Sequence, residues 1–169
     1  MYNEIFNKEK MIALQNYLRK NNQTITTAES CTGGLISSMI TEISGSSSIF
    51  NGSIVTYSND IKEQELKVKK ETMIKFGVVS CEVVEEMLIG ALNKFDSDYA
   101  IAVSGIAGPN GGSEQKPVGT VAIGVMSKNG VKKIDIFHFK GERKEVQIQT
   151  AKTALKINFE ILLQNSWHR

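Results

Sequence analysis

Apolar positions along the chain alternate between two periods, and the switches between them mark the elements. From about Glu4 to Lys20, Ile5, Met11, Ile12, Leu14, Tyr17 and Leu18 recur among polar residues at roughly helical spacing, and Asn21-Asn22 ends the run. Thr24 to Glu29 is a short β-like run. After the turn Ser30-Cys31-Thr32-Gly33-Gly34, Leu35, Ile36, Met39, Ile40 and Ile43 return to helical spacing. Asn51-Gly52 marks a turn, and Ser53 to Ser58 has the β-branched and aromatic make-up of a strand. Asn59 then reads as an N-cap, with Asp60 in the first turn of a short helix to Glu65. A second short helix is predicted over Glu71 to Phe76, with Gly77 closing it. Ser80 is the predicted N-cap of a core helix running to Phe95 through Val83, Val84, Met87, Leu88, Ala91 and Leu92.

Beyond Phe95 the period shortens. Asp98 to Ser104 reads as a buried strand that ends in the glycine-rich loop Gly105 to Gly112. Thr120 to Met126 is another strand, Lys128-Asn129-Gly130 a hairpin turn, and Val131 to Lys140 a strand with a period of two. Gly141-Glu142-Arg143 turns the chain into a last helix from about Lys144 to Leu163. The predicted fold is therefore α/β. It is a single three-layer α/β/α domain over residues 1–169, with a mixed, mostly parallel sheet of about five strands including one antiparallel hairpin. There is no internal repeat, low-complexity segment or linker.

Composition narrows the function classes. The 169 residues are enough for one domain with a good core, and 41% hydrophobic with 22% charged is ordinary for a soluble protein. Twenty basic against 18 acidic residues leave a net charge of +2. That balance, with no aromatic-basic motif, argues against a nucleic-acid partner, and Lys67, Lys69, Lys70 and Lys75 read as a solvated helix face. Cys31 and Cys81 make no disulfide framework, and with His138 and His168 far apart no metal site is expected. No apolar run approaches the ~18 residues of a membrane span, and the N-terminus is not a signal peptide, so a cytoplasmic location is expected.

Candidate chemistry gathers in Gly45 to Lys62, GSSSIFNGSIVTYSNDIK. With Asn59 as N-cap, Lys62 falls near the third helical position, where the helix dipole disfavours an ammonium and lowers its pKa, and burial would lower it further. A partly neutral lysine beside a serine and a tyrosine has the chemistry of a Ser-Lys nucleophile pair. Two glycine-bearing turns, Ser30 to Gly34 before a helix and Gly105 to Gly112 after a strand, offer backbone N–H groups to an anion. Arg143, at the start of the last helix, would gain from a bound carboxylate or phosphate.

Read together, TAESCTGG at Thr27 to Gly34, GSSSIFNGSIVTYSNDIK, SGIAGPNGG at Ser104 to Gly112 and KPVGTV at Lys116 to Val121 resemble the CinA C-terminal domain family over nearly the whole chain. Its characterised enzymes are nicotinamide mononucleotide (NMN) deamidases. Full-length CinA proteins carry a further N-terminal domain, so the stand-alone form is expected here. The resemblance implies metal-independent and cofactor-independent hydrolysis of the NMN carboxamide to nicotinic acid mononucleotide and ammonia, in pyridine nucleotide salvage. It implies Ser47, Tyr57 and Lys62 as catalytic residues, with Ser46 the second choice of nucleophile and Ser48 adjacent. Lys62 would take the serine proton, Tyr57 would relay or orient it, and backbone N–H groups of the serine loop would hold the oxyanion. Ser30, Gly33, Gly34, Ser46, Ser104, Gly105 and Arg143 are expected to bind substrate. The phosphate is left between the Ser30–Gly34 turn and the Gly105–Gly112 loop. A homo-oligomer, with a dimer favoured, is the expected assembly. The alternative is a non-catalytic regulatory or binding module linked to competence or DNA-damage responses.

Overall fold

The computed structural model describes residues 2–167; His168 lies outside them. A short turn of 3-10 helix at Tyr2–Glu4 precedes α1, Lys8–Lys20. The predicted helix is thus broken, because Asn7 is extended and its side-chain oxygen accepts from Lys10 N at 2.9 Å, capping α1. Next come β1, Ile25–Glu29, and α2, Leu35–Thr41. After a 3-10 turn at Ser46–Ser48 follow β2, Ile54–Val55, then α3, Asn59–Leu66, and α4, Lys70–Phe76. α5, Cys81–Phe95, leads to β3, Tyr99–Gly105. The hairpin β4, Thr120–Ser127, and β5, Lys132–His138, feeds α6, Arg143–Trp167.

The five strands form one sheet in the order β2-β1-β3-β4-β5. β1 is parallel to β2 and to β3, whereas β4 is antiparallel to β3 and to β5. Four strands therefore run one way and β4 alone runs back. β1 and β4 are buried along their whole length, as strands with helices on both faces must be; β5 is an edge and mostly exposed. One core layer joins α1, α2 and α6 to the sheet through Leu14, Leu18, Ile36, Ile40, Leu155 and Ile161. The opposite layer joins α3 and α5 to it through Leu66, Val84, Met87, Leu88 and Ala91. α3 and α5 meet backbone to backbone at Gly90, where an added Cβ would lie 2.1 Å from the Leu66 carbonyl oxygen.

Two local differences from the sequence reading bear on the site. The predicted strand Ser53–Ser58 pairs only over Ile54–Val55, because the chain leaves the sheet edge to begin α3. The N-cap of α3 is Ser58, whose hydroxyl accepts from Ile61 N, not Asn59. Lys62 is therefore the fourth helical residue. Its own N–H is already bonded to Ser58 O, which places it beyond the first orphan donors of the helix end.

Candidate active site

β1 and β3 lie side by side and end at the same edge of the sheet. The chain leaves β1 through α2 on one face, and reaches β3 through α5 on the other. This is a topological switch point, where open α/β sheets leave a crevice beyond the strands' carboxyl ends. The crevice here has a volume of about 320 Å³, in the range of small-ligand sites. Ser30, the first residue after β1, and Ser104-Gly105, the last of β3, form its floor. Tyr57 and Lys62 stand on one side, the Gly105–Gly111 backbone on another, and Arg143 closes it from α6.

Lys62 is the most unusual side chain in the molecule. It is 1% exposed, and among the described residues no carboxylate lies within ion-pair distance of it. Its Nζ donates to Ser30 Oγ at 3.0 Å and to the Thr56 carbonyl at 2.9 Å. Burial pulls its pKa down from 10.5 to about 8, with the Cys31 thiol opposing weakly. Desolvation, one of the two causes expected from the sequence, is the largest cause of the shift. At neutral pH roughly a tenth of such amines are neutral, against a few in ten thousand for an ordinary lysine. Cys31, next to Ser30, is 4% exposed, and burial pushes its thiol up to about 12, so it stays protonated.

The mouth of the cleft is cationic. Arg143 Nη1 donates to Gly108 O at 2.8 Å and Nη2 to the Tyr57 hydroxyl at 2.7 Å. Tyr57 is 59% exposed and is tied to Arg143. Ser104 Oγ donates to Val78 O at 3.0 Å, joining the end of β3 to the loop before α5.

The expected site residues therefore divide. Ser30, Tyr57, Lys62, Ser104, Gly105 and Arg143 line one cleft. Ser46, Ser47 and Ser48 do not line it. Ser46 is buried, and Ser47 and Ser48 are exposed. Ser48 Oγ accepts from Arg19 Nε and donates to Gly45 O. The N–H groups of Ser46, Ser48, Ile49 and Phe50 are bonded to neighbouring carbonyls, which leaves none of these four for an oxyanion. Gly33 and Gly34 also lie off the cleft, and the first free N–H groups of α2, on Ile36 and Ser37, are taken by the Glu29 carboxylate at 2.8 and 2.9 Å. Sequence reasoning missed the carbonyl of Thr56 and the walls built by Val78 and Val79. No residue pattern signals these, because they are set by where the backbone passes.

The family model described as the CinA C-terminal domain matches residues 7–162. The chain belongs to the CinA C-terminal domain family. A CinA-like protein of Fervidobacterium nodosum is 50% identical over 155 residues, covering 92% of this chain but 37% of that protein, so the chain spans little more than a third of such CinA-like relatives. The nicotinamide-nucleotide amidohydrolase PncC of Escherichia coli is 46% identical over 151 residues, covering 88% of this chain and 90% of that one. Among solved structures, the competence/damage inducible protein CihA from Agrobacterium tumefaciens superposes with a TM-score of 0.89 at 39% identity, over 92% of this chain and 94% of that one. The three-layer mixed-sheet architecture is thus that of CinA structures.

Proposed function

We propose that this CinA-family domain is an amide hydrolase that converts NMN to nicotinic acid mononucleotide and ammonia, using Ser30 as nucleophile and Lys62 as general base. The observation that carries the reading is the buried Lys62 amine, without a counter-charge, 3.0 Å from Ser30 Oγ in a nucleotide-sized cleft. The near-complete match to the Escherichia coli amidohydrolase supports the substrate. The serine differs from the first expectation: Ser30 replaces Ser47, because Lys62 faces the former and the latter lies outside the cleft.

The chemistry runs in two halves. Neutral Lys62 keeps one N–H on Thr56 O, which aims its lone pair at the Ser30 hydroxyl. As Ser30 Oγ bonds to the carboxamide carbon, its proton passes to Lys62 Nζ and the carbonyl π pair moves to oxygen. Collapse breaks the C–N bond, and the departing nitrogen takes the proton from Lys62 and leaves as ammonia. A water then gives its proton to Lys62 and adds to the acyl ester. Collapse breaks the bond to Ser30 Oγ, which regains the proton, and the carboxylic acid product is released.

The phosphate goes to Arg143 and the Gly105–Gly111 loop, since the N-terminus of α2 is already filled by Glu29. Tyr57 orients the guanidinium it is bonded to. The reaction would return the pyridine ring to dinucleotide salvage, and a homodimer remains the proposed assembly, checked by light scattering. Ammonia release from NMN by the purified protein tests the activity. No release under any pH from 6 to 10 would leave the regulatory-module reading in its place.

A further inference from the structure

Glu29 is the other buried ion of the site, and the mechanism above does not use it. It is fully buried, and among the described residues no lysine, arginine or histidine lies within ion-pair distance. Burying an unpaired carboxylate is unfavourable unless hydrogen bonds replace the lost water. Here they do. Oε1 accepts from Thr32 Oγ1 at 2.7 Å and Ile36 N at 2.8 Å. Oε2 accepts from Ser37 N at 2.9 Å, Ser37 Oγ at 2.6 Å and Thr27 Oγ1 at 3.1 Å. Ser53 Oγ lies 2.7 Å from Ser37 Oγ, extending the network to the segment that leads into β2.

The donors on the side chain come from β1 itself at Thr27, from the β1–α2 turn at Thr32, and from the first turn of α2 at Ile36 and Ser37. Ser30 opens the β1–α2 turn, next in the chain to Glu29. The main chain of Glu29 works on the other partner: its carbonyl accepts from Thr56 N at 2.8 Å, and the Thr56 carbonyl accepts from Lys62 Nζ. One residue thus holds the serine through its side chain and the lysine through its backbone.

We infer that Glu29 is a positioning residue for the reaction, its carboxylate fixing the turn that presents Ser30 Oγ to the Lys62 amine. It does not touch substrate, since both oxygens are saturated and buried beneath the turn. The shape of the group matters as much as its charge. A glutamine would set an amide NH₂ against the backbone N–H of either Ile36 or Ser37, donor facing donor. An aspartate would fall one methylene short of the same donors.

The inference rests on the amidase reading for its kinetic test, and a second readout is independent of NMN. In Glu29→Gln, kcat for NMN should fall on the order of 10²-fold, as a displacement of about an ångström between reacting groups does. KM should stay within about threefold, because the Arg143 side of the cleft is untouched. Labelling of Ser30 by a small sulfonyl fluoride, read by intact mass, should slow by a similar factor. Ser37→Ala and Thr32→Val, which each remove one hydroxyl bond to the carboxylate and keep the carboxylate itself, should each lower kcat about three- to tenfold, and they serve if Glu29→Gln does not fold. A folded Glu29→Gln protein with wild-type kcat, or one whose loss is carried by KM, overturns the inference. So does Ser30 labelling at an unchanged rate, or a wild-type Ser30 that is not labelled at all. If wild-type protein releases no ammonia from NMN yet Ser30 labelling slows in Glu29→Gln, the substrate reading falls and the positioning role stands.

Discussion

Two serine- and glycine-bearing turns flank α2, and they have opposite fates. The turn before it, Ser30 to Gly34, grows out of the buried strand β1, which lies between β2 and β3. The turn after it, Gly45 to Ser48, sits at the surface against Arg19 of α1. Residue types are nearly the same, and the second turn has more serines. The difference lies in what faces them: a buried amine of depressed basicity at Ser30, and an exposed guanidinium that cannot act as a base at Ser48. On the proposed mechanism, hydroxyl content alone does not make a nucleophile; the desolvated base across from it does.

The largest effect should come from replacing one serine in each turn. Ser30→Ala should lower turnover of NMN on the order of 10³-fold or more, and Ser47→Ala far less. Steady-state ammonia release from the two folded variants checks this, and the reverse order would return the nucleophile to the second turn. Lys62→Arg should match Ser30→Ala although it keeps the charge, because a guanidinium does not deprotonate.

Next in size is the cationic mouth. Arg143→Ala should raise KM for NMN about 10- to 100-fold, the range for losing charged hydrogen bonds, while barely changing hydrolysis of the phosphate-free riboside. Equal losses on both would mean that Arg143 serves the ring or the reacting amide.

The lysine gives a pH signature of roughly tenfold. The kcat/KM profile should rise through about pH 8, where Lys62 loses its proton, and not through the ordinary lysine range near 10.5. Stability should carry the same mark. The folded pKa is depressed, so between about 8 and 10.5 the unfolded chain binds more protons and wild-type stability rises with pH. Denaturant melts of wild type and Lys62→Met should diverge in that window in favour of wild type. Parallel curves would mean that the amine is not desolvated.

The smallest effect is structural. Gly90→Ala would gain about 1 kcal/mol of helix propensity at an open position. Its Cβ would instead strike the Leu66 carbonyl, so α3 must move, with a net loss of about 1–3 kcal/mol and a shift of Lys62 away from Ser30. A more stable Gly90→Ala protein by thermal melt would contradict the backbone contact.

Much of the fold was legible because its signals are local. Ser80 caps α5, and that helix ends at Phe95, where its apolar spacing stops. Asn129-Gly130 turns the β4–β5 hairpin, whose first bond closes from Ser127 N to Val131 O. The site was legible in part. Lys62 stood out for its place near a helix start and its expected burial, though its cap lay one residue earlier than Asn59. Its partner stands 32 residues away, on a strand end that a helix and a surface turn separate from it. No spacing rule spans such a gap. The motif match paired Ser47 with Lys62, whereas the sheet brings Ser30 to the lysine by nearness in space.

The reversal of β4 leaves the cleft at one end of the sheet and the hairpin turn at the other. β4 begins beside Gly105 at the cleft and finishes beside Tyr99 at the opposite edge of the sheet. The turn Lys128-Asn129-Gly130 therefore juts into solvent at the far end from Ser30, with open space around Gly130. A peptide tag, dye or surface tether spliced into that turn would hang the domain by the end away from the cleft and leave the mouth pointing outward.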